Sequence, residues 1–171
     1  ATPRGAVAKF SANGKPTAKK DLARIAISYE SVYVAHVAYG AKDVHTLHTF
    51  LEAESYEGVS LIIAYSPCIA HGVDMANNHR QQNLAVDSGH WPLFRYDPRR
   101  TLAGGNPFRL DSKAPSIDYG EFVKSETRFS MLWRSDPQRA DALLDQSRRE
   151  VQERYAYYEQ LAKQGQETSN A

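Results

Sequence analysis

SVYVAHVAYGAKDVHTLHTFLEAESYEGVSLIIAYS, residues 31–66, decides the fold class. Its first ten residues are rich in Val and Tyr, carry apolar side chains on both faces and stop at Gly40, which is the pattern of a strand buried on both sides. DVHTLHTFLEAESYEG then sets Val44, Leu47, Phe50 and Leu51 on one helical stripe, opened by Asp43 and closed by Gly58. VSLIIAYS reads as a second buried strand. Parallel neighbours need a crossover connection, and the intervening helix supplies one.

The same alternation continues outward. On the N-terminal side, DLARIAISYE predicts a helix from about 20 to 29, with Asp21 as its N-cap and Leu22, Ile25, Ala26 and Tyr29 on one face. The preceding ATPRGAVAKFSANGKPTAKK has no sustained period and reads as an irregular loop with a short ordered patch at AVAKF. On the C-terminal side, MANNHRQQNLAVDSG predicts a helix and WPLFRY a third strand, bounded by Asp97 and Pro98. The fold class expected is therefore α/β, a parallel sheet with helices on its faces.

Beyond Tyr96 the character changes. DPRRTLAGGNPFRLDSKAPSIDYG is rich in Pro and Gly and poor in periodic apolar residues, so it is expected to be a long wrapping loop on the surface. SDPQRADALLDQSRREVQERYAYYEQLAKQG predicts a long helix, with Asp136 as N-cap, Pro137 at its first position and Gly165 as its stop. Ala140, Leu143, Leu144, Val151, Tyr155, Tyr158 and Leu161 form its apolar stripe, and Asp145–Arg149 and Glu150–Arg154 are expected ion pairs. QETSNA at the end is expected to fray. This divides the chain into residues 1–98, the α/β part, and 99–171, the wrapping loop and helical extension.

Composition excludes several functions. At 171 residues and 42% hydrophobic content the chain can build one core. Its 21 basic against 20 acidic residues leave a formal charge of +1, so no global basic field invites nucleic acid. No run approaches the about eighteen consecutive apolar residues of a membrane span. One cysteine cannot form an internal disulfide, and the start has no signal-peptide pattern; both point to a reducing, cytoplasmic setting. The chain opens at Ala1-Thr2-Pro3-Arg4, in what reads as the middle of a loop, which suggests a piece of a longer polypeptide.

Cys68, in AYSPCIAHG just past the LIIAY strand, is the first candidate for chemistry. Open α/β sheets bind ligands outside the carboxyl ends of their strands, and a thiolate there can be a nucleophile or a soft metal ligand. A lone cysteine is more often a small buried hydrophobe, and spacing alone leaves that alternative standing. His71 lies at Cys-x-x-His spacing, too little by itself for a zinc site. His45 and His48, three apart on a helix, are expected to be solvated; His36 to be buried and hydrogen-bonded locally; His79 and His90 have no motif around them. No Gly-x-Ser-x-Gly, His-Glu-x-x-His or phosphate-cradling loop occurs. The basic groups Lys15, Lys19, Lys20 and Arg95, Arg99, Arg100 read as solvated or loop-anchoring, with a docking face for an acidic partner or phosphate as the alternative.

TPRGAVAKF with GKPTAKKDL, then VYVAHVAYGA, LEAESYEGVSLIIAYSPCIAHG, SGHWPLFRYDPRR and NPFRLDSKAP together resemble, in order and spacing, the C-terminal region of the single-chain bacterial pyruvate:ferredoxin (flavodoxin) oxidoreductases. The similarity runs from residue 1 to about residue 163. It implies part of a thiamine-diphosphate-binding domain in an enzyme that oxidatively decarboxylates pyruvate to acetyl-CoA and passes electrons through 4Fe-4S clusters to ferredoxin or flavodoxin. It also implies that Cys68 matches the fourth cysteine of the cluster nearest the thiamine. The family's thiamine and Mg2+ motif, its other three cluster cysteines and its pyruvate and coenzyme A sites have no counterpart in this chain. The resemblance therefore implies a fragment inactive alone, from a parent that is commonly a homodimer, with no nucleic acid and no membrane as partner. A relative acting on another 2-oxo acid and an inactive stand-alone interaction module are the alternatives.

Overall fold

Strand β1 (Tyr33–Val37) is buried at every residue and forms the centre of the molecule. The computed structural model describes residues 2–164 and builds around this strand a four-stranded sheet in the order β2-β1-β3-β4. The α/β architecture expected from residues 31–66 is present: β1 pairs in parallel with β2 (Ser60–Ala64), and α2 (Asp43–Glu54) crosses between them. On one face, Val34 of β1 packs with Ala23 of α1 (Leu22–Ile27) and Tyr158 of α7 (Pro137–Lys163). On the other, Tyr33 and Ala35 meet Ala53 of α2.

The sheet is not parallel throughout. β3 (Phe94–Tyr96) runs antiparallel to β1, and β4 (Phe108–Leu110) antiparallel to β3. The cause lies in how the chain returns from α3 (Asn78–Asp87). Gly89, at φ +73°, turns it, and the Trp91 indole donates to the Val37 carbonyl (3.0 Å), pinning the chain at the carboxyl end of β1. A strand entering there can only run back against β1. β4 lies inside the segment expected to be a wrapping loop, together with a short α4 (Arg99–Leu102); Asn106 secures the connection by donating to the Leu161 and Ala162 carbonyls of α7. Two further helices, α5 (Tyr119–Lys124) and α6 (Thr127–Ser135), precede α7 and cover the core beyond the carboxyl ends of β1 and β2, around Trp91, Phe122 and Phe129.

Two helix starts follow the sequence, whereas α2 ends at Glu54 with Ser55 as its cap, before the Gly58 expected to close it. Asp21 accepts from Arg24 N at 3.2 Å, and Asp136 accepts from Arg139 N at 3.0 Å with Pro137 behind it. The helix faces follow it less well. On α2 the stripe faces outward: Val44, Leu47, Phe50 and Leu51 keep 61, 59, 54 and 55% of their surface in water, while Thr46, Thr49 and Ala53 face the sheet. The threonine hydroxyls donate to the Lys42 and His45 carbonyls of their own helix (3.0 and 2.8 Å), so these small residues enter the core without an unpaired group and let the helix approach closely. α1 is likewise rotated from expectation, with Leu22, Ile25 and Tyr29 exposed and Ala23 buried. β2 is a half-exposed edge strand rather than a buried one, because only β1 flanks it.

On α7 the expected stripe packs inward, but the expected ion pairs are replaced. Asp145 pairs with Arg148, Glu150 with Arg4, and Arg154 donates to the Gly89 and His90 carbonyls. The expected stop at Gly165 and the tail QETSNA lie outside the described residues.

Candidate functional site

The loop from Tyr65 to Gly72 leaves the carboxyl end of β2, where Tyr65 N donates to the Val37 carbonyl of β1 at 2.9 Å. Cys68 stands in its middle, half-buried, with extended backbone (φ −141°, ψ 140°), and caps a single 3₁₀ turn over Ile69–His71. Its Sγ accepts from the Ala70 N–H at 3.4 Å. This contact caps the turn and leaves part of the sulfur surface open. Gly72 ends the turn in the left-handed region at φ +75°.

The loop is fastened from far along the chain. The Tyr65 hydroxyl donates to Glu126 Oε1 at 3.0 Å, and Thr127 Oγ1 donates to the Gly72 carbonyl at 3.3 Å. Glu126 is only 1% exposed and also accepts from Gln81 Nε2 (3.0 Å) and from Arg128 Nε. Burial first, and then the Glu126 carboxylate, push the Tyr65 phenol well above its usual range, so it stays protonated and donates. Ser125 Oγ completes the cluster by donating to Gln81 Oε1 at 2.8 Å.

The histidines go elsewhere. His71 shares the Cys68 turn, where burial, then Arg128, lowers its pKa. His45 is not solvated: its Nε2 lies 3.0 Å from Asp111 Oδ2 in a buried network in which Arg95 holds Asp111 through two nitrogens (2.8 and 2.9 Å) and Glu52 through a third (2.8 Å). Burial alone would raise the Asp111 pKa, but hydrogen bonds from Arg95 and His45 outweigh it and hold Asp111 down at about 2. His48 stays exposed. His36 is buried between the Trp91 and Phe94 rings (centroids at 4.4 and 4.5 Å), its Nδ1 has no partner, and desolvation pushes its pKa down to about 3. His90, stacked on Phe122, is likewise held neutral by burial, whereas His79 is on the surface beside Tyr39. Arg95 and Arg99 anchor loops as expected, Arg99 through Asp97 and Ser55.

Among the described residues, no three His, Cys, Asp or Glu side chains come together as a metal-binding group. Cys68, the one cysteine of the sequence, stands outside any such group. Sequence reasoning missed Tyr65, Gln81, Glu126 and Thr127, which separations of 45 to 61 residues keep from forming any local motif.

No protein-family model matches the chain. Over 162 residues, 95% of its length, it is 52% identical to the pyruvate-flavodoxin oxidoreductase of Trichormus variabilis, and over 162 residues it is 44% identical to the pyruvate:ferredoxin oxidoreductase of Moorella thermoacetica. The chain is a homologue of one segment of these pyruvate oxidoreductases. That segment is 14% of each relative's length. The pyruvate dehydrogenase (NADP+) of Cryptosporidium parvum carries a similar segment, 43% identical over 164 residues and 8% of its length. Among the described residues no helix is long and apolar enough to cross a membrane.

Proposed function

We propose that this chain is the segment of a pyruvate-flavodoxin or pyruvate:ferredoxin oxidoreductase that supplies one thiolate, Cys68, to a 4Fe-4S cluster. The observation that carries the reading is the position of the lone thiol: half-open and on the loop after a parallel strand, within a segment 52% identical to such an enzyme. Four soft anionic sulfurs hold both ferric and ferrous iron, so a cluster can take up and release one electron at a time. In this reading residues 1–98 belong to the thiamine-diphosphate-binding α/β domain, and residues 99–171 form an extension that wraps it. Thiamine diphosphate, Mg2+, the three other cysteines, and the pyruvate and coenzyme A sites belong to the rest of a longer, cytoplasmic and homodimeric polypeptide. The whole protein converts pyruvate and coenzyme A to acetyl-CoA and CO2, and its two electrons leave to flavodoxin or ferredoxin.

The relatives' names pair similar segments with flavodoxin, ferredoxin and NADP+, which favours an acceptor choice made outside this segment. The substrate is chosen outside it too, so a panel of 2-oxo acids offered to the full-length enzyme separates pyruvate from its analogues. A stand-alone module is disfavoured by the open, half-apolar edge of β2, which a free-standing domain would cover or charge. The test of the cluster reading is electron paramagnetic resonance on the reduced full-length enzyme. Cys68→Ala should remove one cluster's signal, and an unchanged cluster count would overturn the assignment.

A further inference from the structure

We infer that Glu126 and Thr127, consecutive residues between α5 and α6, act as a clamp that positions the Cys68 loop; the inference rests on the cluster reading above. The loop is held at both ends. Tyr65, its first residue, donates to Glu126, and Gly72, its last, accepts from Thr127. Only residues 66–71 lie between these fixed points, and Cys68 is among them. Gly72 fits Thr127 so closely that an added Cβ would stand 2.1 Å from its Oγ1, and the Gly72 N–H closes the turn on the Ile69 carbonyl at 2.9 Å.

The chemistry of Glu126 supports a positioning role. A buried carboxylate is costly, and an apolar side chain of similar volume is a frequent substitute where only stability is required. Glu126 is buried and gathers donors from three directions: Tyr65 at the end of β2, Gln81 in α3 and Arg128 in α6. It thereby fixes the loop against two helices at once, with a direction that apolar contact does not impose. Groups that orient a metal ligand from behind are the usual means by which a protein sets both the geometry and the retention of a metal centre. The wrapping extension thus has a specific task, which is to hold the ligand loop of the α/β part in place.

The experiment uses the full-length enzyme with its clusters. Tyr65→Phe and Thr127→Val, singly and together, remove the two fastenings; Thr127→Ser keeps the hydroxyl; Leu144→Ala, on the buried face of α7, serves as a packing control; and Cys68→Ala is run in parallel. The readouts are the paramagnetic resonance spectrum of the reduced clusters and the rate of iron release to a chelator. The double variant should alter the signal of the same cluster that Cys68→Ala removes and should lose that cluster's iron roughly tenfold faster. Thr127→Ser should match the parent, and Leu144→Ala should lower the melting temperature without moving the spectrum.

An unchanged spectrum and release rate in the double variant, with a cluster lost in Cys68→Ala, overturns the clamp and leaves the cluster reading intact. An equal spectral change in Leu144→Ala also overturns the clamp. If Cys68→Ala keeps every cluster, the cluster reading falls and the clamp falls with it. Should the double variant fail to accumulate, the single variants Tyr65→Phe and Thr127→Val, each of which removes one fastening, are judged by the same readouts.

Discussion

Replacing Leu47 by alanine separates two descriptions of α2. If the apolar stripe read from the sequence faced the core, Leu47→Ala would remove buried methylenes and leave a cavity, at about 2–5 kcal/mol. In the structure Leu47 and Leu51 keep 59 and 55% of their surface in water, so less than half of the transfer free energy of each side chain is at stake, and solvent fills whatever space is vacated. The expected loss is about 1 kcal/mol for each. Thr49 gives the converse: it is fully buried with its hydroxyl on the His45 carbonyl, and Thr49→Leu would push added volume against β1 at about 1–3 kcal/mol. Equilibrium urea unfolding of the three single variants supplies the comparison, with Thr49→Leu expected to cost more than either leucine truncation. A loss above about 3 kcal/mol for Leu47→Ala, with Thr49→Leu tolerated, would refute the orientation of the helix.

Three further outcomes are expected. Asp111 is held down at about 2, below the ordinary carboxylate value, so the stability it contributes is complete above about pH 4 and is lost as pH falls towards 2; Asp111→Asn should therefore cost about 2 kcal/mol near neutrality and almost nothing at pH 2 in urea titrations. Arg95→Lys keeps the charge but cannot reproduce a fork that reaches both Asp111 and Glu52; a loss of about 2 kcal/mol is expected by the same measurement, and the pH at which Asp111 stops mattering should rise because the hydrogen bonds that depress it are lost. Gly72→Ala combines a left-handed backbone with a clash against Thr127 and should cost about 3 kcal/mol in thermal or urea unfolding, part of it returned by Thr127→Gly in the same chain.

The elements legible in the sequence are those whose signal is local. Asp21 and Asp136 announced helix starts because a capping side chain bonds within three residues of itself. β1 announced itself by Val and Tyr on both faces, and it is buried on both. The orientation of α2 was illegible for a physical reason: periodicity reports which side chains are apolar, whereas burial depends on which face can approach the sheet closely. Thr46, Thr49 and Ala53 are small enough to do so, and the helix satisfies its own hydroxyls. The direction of β3 was equally hidden, since it is set by Trp91 reaching the Val37 carbonyl across 54 residues, a contact that leaves no period of either kind.

The candidate site divides along the same line. Cys68 was visible as a thiol after a strand, and the structure places it there, half-buried at the start of a 3₁₀ turn. Its support was not visible, because polar runs such as KSET (residues 124–127) between helices are ordinary turn sequences and Glu126 differs from any surface glutamate only in what surrounds it. Tyr65 Oη, Gln81 Nε2 and Arg128 Nε all point at one carboxylate from separate elements, and only the folded chain brings them together. The two halves depend on each other: β2 delivers the sulfur to the sheet's carboxyl edge, but the loop carrying it has no backbone hydrogen bond to a neighbouring strand after Tyr65 N, so its remaining anchors come from residues 126 and 127. The turn between α5 and α6, whose apolar side chains enter the core, thus also holds the loop through two polar contacts that hydropathy does not record.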